Sequence, residues 1–236
     1  MKYKYLKISI LAIVLIGLSV FSFHQNQSRD VLDITVHFEQ NGARFMTTDS
    51  VNKLLTVKKT DTTNLLKSEL NLRKMESILN QNHFIESAHA YLGIEGGVGI
   101  KIQEKTPIGR VMGSPGFYID DQGNQMPLSP FYSARVPFVS SQVTNQNRGD
   151  VYSLLSFISK DGFLKTHIVE IEQQKSKWFL TTRNQSLTIE LGKPEDLERK
   201  FNFYKAFYVK TLQDQTLSSY ASVRLEYSNQ VVCKKI

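Results

Sequence analysis

The sequence predicts an α+β protein: a single N-terminal transmembrane helix, a small β-α-α-β-β unit, then a strand-rich unit that carries two helices. Three observations predict it. An uncharged apolar run from Ile8 to Phe23 follows Lys2, Lys4 and Lys7. Two helical apolar stripes lie between strand-like alternations over residues 32–104. From Pro107 onward helical periodicity thins, and short alternating runs separated by turn residues take over.

At ~1.5 Å per residue the apolar run is ~24 Å long as a helix. Tyr5 and Leu6 lengthen it when Lys7 snorkels back, so it reads as a transmembrane helix over residues 8–23. Lysines precede it without an acid, whereas Asp30 and Asp33 follow. Positive-inside therefore assigns the tail, residues 1–7, to the cytoplasm, and places the linker 24–31 and everything after it outside the cytoplasmic membrane. A cleavable signal peptide shares the same basic start, with Val20-Phe21-Ser22 as its cleavage site. Both readings put the remaining chain to work beyond the cytoplasmic membrane.

Of 236 residues 41% are apolar, with 14 Phe and 10 Tyr, which is enough for packed cores in one large or two small domains. The formal charge of +7 is interspersed, and the three tail lysines account for part of it. Nucleic-acid binding needs a concentrated basic face, so that class is excluded. Cys233 is the only cysteine, so the cores hold without an intramolecular disulfide.

In the first unit, Leu32, Ile34, Val36 and Phe38 alternate with polar residues as a strand, and Asn41-Gly42 is a turn signal. Thr47 to Ser50 offers capping oxygens to a helix with Val51, Leu54 and Leu55 on one face. Lys58 to Asn64 is a polar connection. Asn71 caps a second helix bearing Leu72, Met75, Ile78 and Leu79. Ser87–Leu92 and Val98–Glu104 then alternate as two strands of a hairpin, with Gly93, Gly96 and Gly97 between them.

In the second unit, Phe117–Ile119 and Gln125–Leu128 form a hairpin around Gly123, and Val136–Val139 is a short strand. Val151, Leu154, Leu155 and Ile158 predict a helix. Strands follow at Ile168–Glu172, Trp178–Thr182 and Leu187–Leu191. Pro194 opens a helix carrying Leu197, Phe201, Tyr204 and Tyr208. The last element, Ala221–Lys234, reads as one strand bent or bulged at Asn229-Gln230.

No catalytic, cofactor or metal site emerges. His83, Glu86 and His89 are three apart, but they span a helix end and a strand and so do not share a face. Asp120 to Asn124 lacks the distal Glu of a calcium loop and reads as a hairpin turn. Cys233 has no neighbouring His to activate it and reads as a structural thiol. There is neither a phosphate-cradling glycine loop nor a serine elbow. What remains is a sheet edge. The last element carries Val223, Leu225, Tyr227, Val231 and Val232, with basic residues only at its end, Lys234-Lys235. It is either a central, fully paired strand or an edge that accepts a partner strand by β-augmentation.

Several stretches resemble the FtsQ/DivIB family of bacterial cell-division proteins. Asn71-Leu72 through Met75, Leu79, Phe84-Ile85 and Ala88 resemble the second helix and following strand of its POTRA domain. Glu104 through Pro107-Ile108-Gly109-Arg110-Val111 is similar to the family's junction between domains. Tyr118-Ile119-Asp120 with Gly123, and Val136-Pro137, resemble the first hairpin of its β-domain. The segment Val223 to Val232 is similar to its last strand, and Asn229-Gln230 before Val231-Val232-Cys233 is most like the Bacteroidetes version. Glu226 stands where many members carry a basic residue, and Gln230 where Gly is frequent.

The resemblance implies a POTRA-like domain over residues 32–106 and an FtsQ-type β-domain over 107–236. It implies a non-enzymatic bitopic scaffold at the septum, linking an FtsB/DivIC–FtsL subcomplex to septal wall synthesis, with residues 24–236 on the periplasmic side of an inner membrane. FtsB/DivIC-like and FtsL-like coiled-coil membrane proteins would bind the last strand, and other divisome proteins the POTRA-like domain. On that carry-over the partner-binding residues are Val223, Arg224, Leu225, Glu226, Tyr227, Asn229, Val231 and Val232, with Tyr227 foremost. An exported POTRA-bearing factor that hands over outer-membrane or secreted polypeptides is the alternative.

Overall fold

A computed structural model describes residues 11–22, 34–39, 44–56, 71–93, 97–183, 187–227 and 230–236. The chain divides into two compact units, Met1–Glu104 and Lys105–Ile236. The tail 1–7, the linker 24–31, the Asn41-Gly42 turn and the Lys58–Asn64 connection lie outside the described residues.

The expected transmembrane helix over residues 8–23 is corrected. Helix α1 covers residues 11–22 with its side chains exposed. Twelve described residues span ~18 Å as a helix, against the ~30 Å of hydrocarbon that a span must cross. Among the described residues, no helix is long and apolar enough to cross a membrane.

The first unit is built from β1 (Ile34–Phe38), α2 (Thr48–Thr56), α3 (Leu72–Asn80), β2 (Ile85–Leu92) and β3 (Val98–Glu104). The sheet order is β1-β3-β2, with β1 parallel to β3 and β2 antiparallel to it. The capping signals operate: Thr47 Oγ1 accepts the Ser50 N–H at 3.1 Å, and Asn71 Oδ1 the Lys74 N–H at 2.9 Å. Val51 and Leu79 from the helices meet Ile85, Ala88, Ile100 and Ile102 from the sheet in one core. Gly99 faces Tyr91 across the hairpin, and a Cβ at Gly99 would fall 2.2 Å from the Tyr91 ring, which occupies that space. Glu104 closes β3 as a buried carboxylate that accepts the Met46 N–H at 2.9 Å. Burial pushes its pKa up, against the downward pull of the Met46 and Phe45 amides.

The second unit runs β4 (Pro107–Val111), β5 (Phe117–Asp120), β6 (Gln125–Pro127), β7 (Phe138–Val139), α4 (Arg148–Lys160) and α5 (Gly162–His167). It continues through β8 (Ile168–Gln174), β9 (Lys177–Thr182), β10 (Thr188–Gly192), α6 (Leu197–Gln213), a 3-10 turn (Leu217–Ser219), β11 (Tyr220–Arg224) and β12 (Val232–Lys235). The nine strands of this unit form one sheet, ordered β12-β11-β10-β9-β8-β7-β4-β5-β6. Pairings β4–β7, β7–β8 and β10–β11 are parallel.

One residue row explains the architecture. Val111, Val139, Ile171, Leu180, Ile189, Val223 and Cys233 stand in register across seven neighbouring strands. All but Cys233 are buried, against Leu154, Leu155 and Ile158 of α4, Leu164 of α5, and Phe201 and Tyr204 of α6. The adjacent row, Arg110, Phe138, Glu170, Thr181, Thr188, Ser222 and Lys234, faces the other side by the period of the strand. Gly109 permits the closest helix approach: a Cβ there would lie 2.3 Å from Leu155 Cδ1.

Three expectations change. Two helices were expected in this unit and three form, because Asp161 caps the six-residue α5 by accepting the Phe163 and Leu164 N–H groups at 3.0 Å. The segment Pro107–Val111 is a strand. Helix α6 starts after Asp196, a left-handed residue with φ 50°, and not at Pro194.

Candidate functional site

The single bent strand expected over Ala221–Lys234 is two antiparallel strands, β11 and β12. Strand β11 lies inside the sheet, parallel to β10 on one side and paired with β12 on the other, so β12 is the terminal strand. The first half of the segment is thus a central, paired strand, and the second half is an edge of the sheet.

Val223 and Leu225 are core residues. Val223 is fully buried between Ile189 and Cys233 in the apolar row, and Leu225 donates its N–H to Glu190 O at 2.9 Å. Their side chains are buried and hold the strand to the core. Arg224, on the opposite face, donates through Nε to Glu190 Oε2 at 2.7 Å, and Ser222 Oγ donates to Glu190 Oε1 at 2.8 Å. Arg224 and then Ser222 hold the Glu190 carboxyl below the usual carboxylate range, against its burial. The Arg224 pKa is raised in turn, first by Glu190 and then by a hydrogen bond to the Tyr227 side chain.

Glu226 is a fixed residue as well. Lys177 Nζ lies 2.8 Å from Glu226 Oε1, and the Glu226 side chain lies across Gly192, where an added Cβ would meet its Cγ at 2.7 Å. Gly192 has φ 74°, a conformation that glycine adopts at no steric cost. Sequence reasoning missed Lys200, which secures this corner. Its buried Nζ donates to the carbonyls of Leu191 at 3.0 Å and Lys193 at 2.6 Å, and burial pulls its pKa down. The signal was its position on the buried helical stripe, three residues after Leu197 and four before Tyr204.

The exposed positions among the described residues of the segment and of β12 are Tyr227, Gln230, Val232, Lys234 and Lys235. Tyr227 is 42% exposed, and its carbonyl accepts from Arg199 Nη1 at 3.3 Å. Val232, 38% exposed, sits opposite Arg224, while Val231 is half-buried against the core. Asn229 lies outside the described residues. Cys233, Lys234 and Lys235, the remaining residues of β12, were not among the sequence candidates, although the two lysines are a known device for guarding an edge. Burial raises the Cys233 thiol pKa, which keeps it protonated and unreactive at neutral pH.

Two other edges, β6 and β2, are blunted. At the far side of the same sheet, β6 is three residues long and ends at Pro127. In the first unit, β2 spends two outward amides on its own helix: Ala88 N–H donates to Asn80 Oδ1 and Ala90 N–H to Glu76 Oε1, both at 2.8 Å. His89, on the same strand, has Nδ1 4.0 Å from Glu76 Oε1. Among the described residues no group of His, Cys, Asp or Glu is arranged to hold a metal ion.

Two family models match the chain. Residues 106–234 match the model described as FtsQ/DivIB, C-terminal related, and residues 31–103 match a POTRA-like domain. No curated protein matches it.

Proposed function

Because the chain belongs to the FtsQ/DivIB family, we propose that it is a non-catalytic scaffold of the division machinery that presents the open strand β12 to a partner strand. The family is one of non-enzymatic scaffolds and its POTRA-like and β-rich domains fit cell division. The partner proposed for β12 is a coiled-coil protein of the FtsB/DivIC type, itself paired with one of the FtsL type. The complex would connect to septal wall synthesis at the division site, and other divisome proteins would meet the POTRA-like domain.

The observation that carries this reading is the asymmetry of edges: β12 ends a nine-stranded sheet whose opposite edge is blunted by Pro127. An added strand gains main-chain hydrogen bonds along β12, while Val232 and Tyr227 supply apolar contact beside it. Within the proposed set, Val223 and Leu225 shape the edge, Arg224 and Glu226 brace it through Glu190 and Lys177, and Tyr227, Val231 and Val232 meet the partner.

The test is site-specific photocrosslinking in living cells from Val232 and from Lys234, with Thr188 two strands inward as the control. Capture of an FtsB/DivIC-type protein from the β12 positions and not from Thr188 is expected. Tyr227→Ala is expected to weaken that capture about tenfold, as loss of an aromatic anchor does. Equal capture from all three positions, or none, rejects the augmented edge.

A further inference from the structure

We propose a second binding surface on the helix-free face of the nine-stranded sheet, built around Arg110 and selective for an acidic peptide segment with apolar residues beside its carboxylate. Arg110 on β4 stands next to Tyr118 on β5 and Phe138 on β7, all in register on that face. Its guanidinium carbon lies 5.9 Å from the Tyr118 ring centroid and 5.8 Å from that of Phe138. Nη1 donates to Ser133 Oγ at 3.1 Å, which turns the group into a fixed orientation. Two flanking rings and one hydroxyl orient the guanidinium but leave its charge unmatched: among the described residues Arg110 forms no ion pair. The nearest carboxylate by register is Glu170, beyond Phe138 on β8, and it forms no ion pair either.

The surroundings supply the apolar half of the recognition. Met112 follows Arg110 by two residues and is 58% exposed, Phe131 is 58% exposed, and Phe138 is 41% exposed. The 129–135 segment is tied to the sheet because Ala134 N–H donates to Tyr118 Oη at 3.1 Å. That tie leads directly to Arg135, a second exposed guanidinium without an ion pair among the described residues. Two unmatched guanidiniums among three exposed apolar side chains repel a basic segment. They give an acidic one a charge-assisted hydrogen bond, with aromatic faces for its apolar neighbours. A planar guanidinium held between rings also favours the two oxygens of a carboxylate over a single carbonyl. This surface lies on β4 and β7, four strands or more from β12, and stands independently of the edge proposed above.

The experiment is fluorescence anisotropy of the full chain with a labelled short peptide that alternates Glu with Leu and Phe, compared with its Gln-for-Glu twin. The acidic peptide is expected to bind about tenfold or more tightly than the twin, with an affinity that falls as salt rises. Arg110→Gln keeps a hydrogen-bond donor toward Ser133 and is expected to abolish the preference, Arg110→Lys to retain part of it, and Arg135→Gln, at an exposed site, to reduce it. Equal binding of the two peptides overturns the proposal. So does a preference that survives both Arg110→Gln and Arg135→Gln, or tighter binding of a Lys-for-Glu peptide.

Discussion

His167 and Tyr204 share a 2.6 Å hydrogen bond in the core of the second unit, with Phe163 stacked 4.7 Å from the imidazole. Burial, and then the Arg183 charge, pull the His167 pKa down, so the folded protein holds it neutral. The unfolded chain protonates it near pH ~6.5. The stability it contributes is complete above that value and is lost as pH falls toward the lower folded pKa. A fall in the urea midpoint between pH 7.5 and 5.5 is therefore expected, and His167→Gln should remove it. The carboxylates held below their usual range, Asp161 and Glu190, weaken the fold only at more acid pH, near ~4 and below, so the two windows separate. Asp161 caps α5 and also pairs with Lys205 of α6. Asp161→Ala should cost about 1–2 kcal/mol in urea denaturation at neutral pH. Neither the His167–Tyr204 bond nor the Asp161–Lys205 pair was legible in the sequence, because they join residues 37 and 44 positions apart.

At the scale of elements, what the sequence revealed and what it hid follow from the range of the forces involved. Caps and alternation are local, so Asn71, Thr47 and the alternating residues of β2 and β3 identified their elements with near-final borders. Helix α5 escaped because six residues complete fewer than two turns and set up no stripe. Strand β4 escaped because Pro107 and Gly109 are weak strand formers; Gly109 is there for the contact with Leu155. Gly109→Val should lower stability by about 1–3 kcal/mol, seen as a lower thermal midpoint, since α4 must move outward to admit the side chain. The C-terminal segment was read as one strand because its alternation continues through Arg224 and resumes at Val231. Only the pairing of Val223 with Cys233 shows that the chain has doubled back. Tyr227 thus falls outside the ladder, Val223 and Leu225 inside the core, and the open edge passes to Val232–Lys235.

At the scale of the whole molecule, the sequence changes texture near Pro107, close to the division of the chain between Glu104 and Lys105, whereas strand order was not readable. Parallel pairings such as β7 with β4 join residues about 28 positions apart and leave no local trace. The sixteen-residue apolar run is the opposite case: its local signal predicts a span, yet among the described residues no helix is long and apolar enough to cross a membrane. The contrast between β6 and β12 bears on counting. A sheet with two receptive sides can propagate without limit, each newcomer offering a fresh side to the next. A sheet with one receptive side takes a single newcomer, and two copies joined through that side leave none. On the proposed reading, in which β12 alone is receptive, the nine-stranded sheet ends the series: native mass spectrometry of the complex should find one partner strand per molecule, and raising the concentration should yield no species beyond that.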